Sequence, residues 1–248
     1  MLLRRLVLSA LLVGALSGLL LSAIQRWQVI PIINTAERFE QARAAVPTHG
    51  EAGHEHAAGA WEPAEGAERI GYTVLSNVLT AAGFALVMLA AMAILFRRNA
   101  ATKRKAATRL DWRYGLLWGL AGYVVFFVAP ALGLPPEIPG AEAASLESRQ
   151  LWWAFTVVCT AAGLAVTAFG KSPWRWAGLA LLVVPHLVGA PQLGTSPFAE
   201  LPADVAAELT QLARRFVWAT AFANGVFWIA LGGLSGWAAQ RFVKQAVA

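Results

Sequence analysis

Hydrophobic residues fall into six long runs, near residues 6–25, 70–96, 114–134, 151–170, 174–191 and 216–239, with charged residues confined to their edges. At 1.5 Å rise per residue each run reaches across a hydrocarbon layer of about 30 Å as a helix. In lipid only a helix satisfies its backbone polar groups segment by segment, so the runs predict helices rather than strands. The expectation is an all-α, polytopic integral membrane protein, a single membrane domain over residues 1–248 with six transmembrane helices.

The polar stretches between the runs set the orientation, because Lys and Arg gather on the cytoplasmic side of short loops. Alternate connections hold 13 of the 20 basic residues and a single acid, Asp111; the opposite set holds 13 of the 14 acids. With both termini cytoplasmic the inner side carries +12 and the outer side −6. A chain of five spans breaks this alternation. The basic balance is thus a topological signal centred on Arg97–Arg113, where anionic lipid headgroups hold it, and not the mark of a nucleic-acid binder. The composition agrees: 58% hydrophobic, 14% charged, with 11 tryptophans in 248 residues. The partner implied is the lipid bilayer. Arg4 and Arg5 before the first run and Leu21-Ser22-Ala23 after it have the form of a secretory signal. Its apolar stretch of about 19 residues is long for a signal, which favours a retained anchor.

The longest connection, residues 26–69, is an outer acidic loop. It opens on an apolar tail around Pro31 and continues with helix formers from Thr35 to Ala45, which predict a short surface helix with Thr35 as N-cap. Pro47, Gly50, Gly53 and Gly59 then break regular structure. Two other outer ends are rich in breakers, Ala129-Pro-Ala-Leu-Gly-Leu-Pro-Pro-Glu-Ile-Pro-Gly140 and Pro185-His-Leu-Val-Gly-Ala-Pro-Gln192. They predict unwound helix ends, which either present carbonyl oxygens towards a cavity or simply stop the helix at the interface. Glycines four apart at Gly14 and Gly18, Gly115 and Gly119, and Gly232 and Gly236 predict close helix packing.

Three of the four histidines fall within eight residues of that outer loop, in His49-Gly-Glu-Ala-Gly-His54-Glu-His56. A neutral imidazole is a common ligand for first-row divalent metals, and residues two apart on an extended segment project to one side. His54 and His56 are therefore candidates to chelate one ion, with His49 folding back across the glycines and Glu55, Glu51 or Glu62 adding an oxygen. A site on such a segment suits capture and hand-off rather than storage; the alternative is a solvated acidic loop. The fourth histidine, His186, sits at the broken end of span five, where an ionisable group is a functional candidate. The interiors of the spans otherwise offer Asn77, Asn224, the hydroxyls of Ser76, Thr80, Thr156 and Thr160, and the thiol of Cys159. The two asparagines either line a cation path or pair helices. No Walker loop, metalloprotease helix, dinucleotide fingerprint or nucleophile elbow is present, so an enzyme is not expected.

Taken in order, the His-Glu-His segment with Trp61-Glu-Pro-Ala-Glu-Gly-Ala-Glu-Arg69, the Ala129–Gly140 stretch, Arg149-Gln-Leu-Trp-Trp153, Pro185-His-Leu-Val-Gly-Ala-Pro191, Asn224-Gly-Val-Phe-Trp228 and Gly232-Gly-Leu-Ser-Gly236 resemble the CbtA family of predicted cobalt transporter subunits. The resemblance covers nearly the whole chain. It implies a bacterial inner-membrane protein linked to cobalt uptake for cobalamin synthesis, working with a small single-span, histidine-bearing CbtB-type partner. Family members are often described with five spans, whereas the charges here count six. The expected ligands are His49, His54, His56, Glu55 and His186. The expected cargo is Co2+, with Ni2+ or another divalent metal open, and no cofactor is bound permanently. A non-transporting membrane subunit that docks a separate permease is the rival reading.

Overall fold

The computed structural model describes residues 2–44, 63–64, 66–101 and 111–243, and all its regular structure there is helical. Helix α1 (Leu2–Ile24) runs through a wide π turn, Gln25–Val29, into α2 (Ile30–Ala44); α3 is Ala67–Ala101. Helix α4 (Trp112–Tyr123) passes through a second π turn, Val124–Val128, into the short α5 (Ala129–Gly133), followed by α6 (Leu146–Phe169), α7 (Trp174–Val188) and α8 (Ala203–Ala238), which ends in a third π turn, Ala239–Val243.

Five helical stretches are long and apolar enough to cross a membrane: Leu2–Ala42, Ala67–Arg98, Trp112–Gly133, Leu146–Phe169 and Ala203–Phe242. They cover five of the six expected runs. The sixth, 174–191, is helical only over the 15 residues of α7, which is about 22 Å at 1.5 Å per residue. Gly189 stops it, with φ +83° and ψ 144°, a conformation that costs a side-chain-bearing residue far more than glycine.

Two of the π turns have a cause in the sequence. The Ile30 N–H reaches back to the Gln25 carbonyl and the Ala129 N–H to that of Val124, and Pro31 and Pro130 follow directly. Proline lacks a donor and its ring crowds the carbonyl four residues back; widening the helix just upstream relieves both without ending it. The apolar tail expected to separate span one from a short helix over Thr35–Ala45 is therefore itself helical, and the helix runs unbroken to Ala44. Within it Thr35 is not an N-cap: its hydroxyl donates to the Pro31 carbonyl at 2.8 Å, one turn back inside a continuous helix. Nothing in the sequence accounts for the third π turn.

Small residues choose the helix pairs. A Cβ added at Gly14 would stand 2.5 Å from the Ala82 Cα, and one at Gly18 2.6 Å from the Val78 Cα, so α1 packs antiparallel on α3. Added at Gly115 it would stand 2.8 Å from the Gly236 Cα, and at Gly119 3.1 Å from the Gly232 Cα, which makes α4 and α8 a second antiparallel pair. Gly163 and Gly178 do the same for α6 and α7, each 2.8 Å from the other's carbonyl oxygen. Arg5 Nη1 donates to the Phe242 carbonyl at 3.2 Å, so the start of α1 and the end of the last helix share one face, here the terminal face.

On the opposite face α2 and the first turns of α8 project beyond the bundle and build a headpiece with its own apolar contacts. Ala36, Ile138, Phe198 and Leu209 are buried there at 5% exposure or less. The connections 134–145 and 189–202 wrap it, joined by the Glu142 N–H to the Pro197 carbonyl at 3.1 Å. An ion pair at 2.5 Å between Arg69 and Glu37 ties α2 to the start of α3.

Candidate metal site at the headpiece ends of the helices

Of the five residues predicted to hold metal, His49, His54, Glu55 and His56 lie outside the described residues. His186 is half-buried in the last turn of α7, on the headpiece face. Its ring stands edge-on to that of Trp152, with centroids 6.1 Å apart and planes inclined at 68°.

Trp152 gives this corner its geometry. It is 6% exposed, and its Nε1 donates to the Pro185 carbonyl at 3.2 Å. Its ring also fills the space beside Gly133, where an added Cβ would lie 2.7 Å from Trp152 Cζ2 and 2.9 Å from the Ala190 Cβ. The ends of α5 and α7 thus meet, held by one indole from α6, although neither helix breaks at the proline expected to break it: Pro130 lies inside α5, and α7 runs on to Gly189. Pro185 itself remains helical; lacking an N–H, it leaves the carbonyl of Leu181 without a helical donor. The negative end of the α7 dipole also lies at His186.

An imidazole nitrogen at a helix C-terminus can hold a cation in passing. Tight, selective binding needs a fuller ligand set. Among the described residues no group of three or more His, Cys, Asp or Glu is close enough to hold a metal ion. Going from His186 towards the terminal face, the side of α6 turned to α7 carries buried Thr156, Cys159 and Thr160. The hydroxyls of Thr160 and Thr167 are buried without a hydrogen-bond partner among the described residues.

The other polar residues inside the spans divide. Asn77 donates to Ser22 Oγ at 3.0 Å and to Gln25 Oε1 at 2.7 Å, so it pairs helices α1 and α3 beside the first π turn. Asn224 instead donates to the Thr220 carbonyl at 2.9 Å on its own helix. Ser76 and Thr80 are exposed on α3. Sequence reasoning did not single out Trp152 as an organiser, nor the ion pair between Glu137 and Arg149 at 2.5 Å. The signal available was Arg149-Gln-Leu-Trp-Trp153 itself, a cation and two indoles at the start of a span.

No curated protein and no solved structure matches the chain. A family model described as "Probable cobalt transporter subunit (CbtA)" matches residues 3–240, nearly its whole length. A match of that extent, on a helical membrane fold, makes this chain a member of the CbtA family, a multi-pass membrane protein of the cobalt transporter subunit class.

Proposed function

We propose that the chain is the membrane-embedded subunit of a cobalt uptake system in the bacterial inner membrane, with six crossings and both termini in the cytoplasm. The headpiece is then the outer side. Arg4, Arg5, Arg97, Arg98, Arg113, Lys171 and Arg175 lie at helix ends of the terminal face, which the positive-inside rule assigns to the cytoplasm. Helix α7 with the extended stretch after Gly189 makes the sixth crossing, since α6 and α8 both run from the headpiece face to the terminal face and the chain has to return between them.

In this reading His49, His54, His56 and Glu55 capture a divalent cation outside, and His186 at the C-terminus of α7 receives it. The single observation that carries it is the convergence of the ends of α5 and α7 on Trp152 and His186. Ala44 at the end of α2 and Ala64 before α3, which flank the histidine segment, both lie on the face that carries His186. An acidic outer surface raises the local cation concentration within a Debye length of about 8 Å at physiological ionic strength. A small single-span, histidine-bearing CbtB-type subunit is the proposed partner.

The rival reading is a metal-binding subunit that docks a separate permease through a helix face otherwise turned to lipid. Helix α7 packs on α6, and its other side exposes Trp174, Trp176, Val183 and Leu187 at 51–79%. Purified chain reconstituted alone in liposomes separates the two: a transporter accumulates radiolabelled cobalt without a partner, and an accessory subunit does not. His186→Ala is expected to abolish that accumulation, and His54→Ala with His56→Ala to lower uptake at limiting cobalt. Unchanged uptake in His186→Ala would overturn the proposed path.

A further inference from the structure

Between the second π turn, α5 and the first turns of α6 lies a cavity of about 280 Å³. Phe126, Phe127, Pro130 and Trp153 make its walls largely apolar, yet two charged residues also line it, Glu137 and Arg149. Their ion pair runs from Arg149 Nη2 to Glu137 Oε2 at 2.5 Å. That bond occupies one of the five guanidinium donors and one of the two carboxylate oxygens. Arg149 Nε is buried and has no partner among the described residues. That nitrogen is sealed from the cavity, but the Arg149 and Glu137 side chains are 29% and 30% exposed, so the cavity offers the outer part of a guanidinium beside a carboxylate, with no net charge. Such a lining suits a ligand that carries both signs better than a bare anion or a bare cation.

The surroundings narrow the class. Leu146, which lines the cavity, and Leu132 and Leu151, next to lining residues on α5 and α6, are 65–73% exposed, as side chains facing lipid are. Trp153 is 42% exposed at the start of the span, the depth at which tryptophans gather at a membrane boundary. The volume lies just below the range of about 300–1,000 Å³ typical of drug-sized ligands. It accommodates a headgroup, while longer chains must leave along the apolar surface. We propose that this cavity binds the headgroup of a zwitterionic phospholipid bearing a primary ammonium, with its phosphate on Arg149, its ammonium on Glu137 and its acyl chains running out over Leu132 and Leu146. A soluble phosphoethanolamine has the same two charges, so the lipid source is tested separately.

The experiment is native mass spectrometry of the full chain released from nanodiscs containing equal phosphatidylethanolamine and phosphatidylglycerol. Retention of the ethanolamine lipid is expected to exceed that of the glycerol lipid on the order of tenfold, the worth of one charged hydrogen bond. Glu137→Gln is expected to erase that preference. Ala131→Phe, which fills the cavity and leaves the ion pair in place, is expected to remove lipid retention without lowering the melting temperature. Equal retention of both lipids by the wild type, or unchanged retention in Ala131→Phe, would overturn the proposal. Displacement of the lipid by equimolar soluble phosphoethanolamine would overturn the lipid assignment, because the acyl chains would then contribute nothing.

Discussion

Trp152 joins two helix ends through different parts of one side chain, its indole N–H on Pro185 and its ring against Gly133 and Ala190. Trp152→Phe keeps most of the ring and loses the hydrogen bond, an expected cost of about 1 kcal/mol. Trp152→Ala also opens a hole, and the expected cost rises to about 3–5 kcal/mol. Thermal unfolding in detergent checks the order; a phenylalanine variant as unstable as the alanine one would mean that the hydrogen bond, not the packing, holds the corner. The Asn77 amide has two acceptors on the neighbouring helix, and Asn77→Leu is expected to cost about 0.6–1.7 kcal/mol in the membrane. The sequence named Asn77 as a residue of interest and left two roles open. Only the positions of Ser22 and Gln25 decide for helix pairing, because the choice depends on what stands opposite.

At the scale of elements, the glycines divide by what faces them. Gly119→Val would push a side chain into the Gly232 Cα and the Trp228 backbone, and overpacking of this kind costs about 1–3 kcal/mol or more. Gly83 lies on α3 with nothing within 4 Å of an added Cβ, so Gly83→Ala should be neutral or stabilise by about 0.5–1 kcal/mol through helix propensity. Melting temperatures of the two variants side by side check the contrast, and a destabilised Gly83→Ala would refute it. GxxxG spacing correctly marked residues of close approach, because a small residue in a membrane helix leaves room for another backbone. Partner choice was not legible: Gly115 and Gly119 meet a second GxxxG on α8, whereas Gly14 and Gly18 meet Ala82 and Val78. The π turns were also hidden, since a proline alone does not say whether the helix stops, kinks or widens.

For the molecule as a whole, the open quantity is the number of crossings. In a Cys159→Ser background, Ser172→Cys lies on the terminal face and Ser196→Cys on the headpiece face, both at exposed positions. A membrane-impermeant maleimide is expected to label Ser196→Cys in intact cells and Ser172→Cys only after permeabilisation. Labelling of neither in intact cells, or of both, would show that α7 does not bring the chain across. The headpiece is the feature of this scale that hydropathy missed. Its helices, α2 and the start of α8, continue the spans without a break, and a period of 3.6 residues does not change where the lipid ends.

By itself the sequence determined that the chain is helical, embedded in lipid and charged asymmetrically, because those properties follow from the length of apolar runs and the sign of the residues between them. It also named His186 and the proline-rich ends. The tertiary structure decided that the two ends meet, that Trp152 holds them together, that Asn77 pairs helices, and that Glu137 and Arg149 share a cavity. Each of these is a contact between residues distant in the chain or on different helices. Such contacts depend on the register and rotation of one helix against another, which the packing of small residues fixes and which no local pattern encodes.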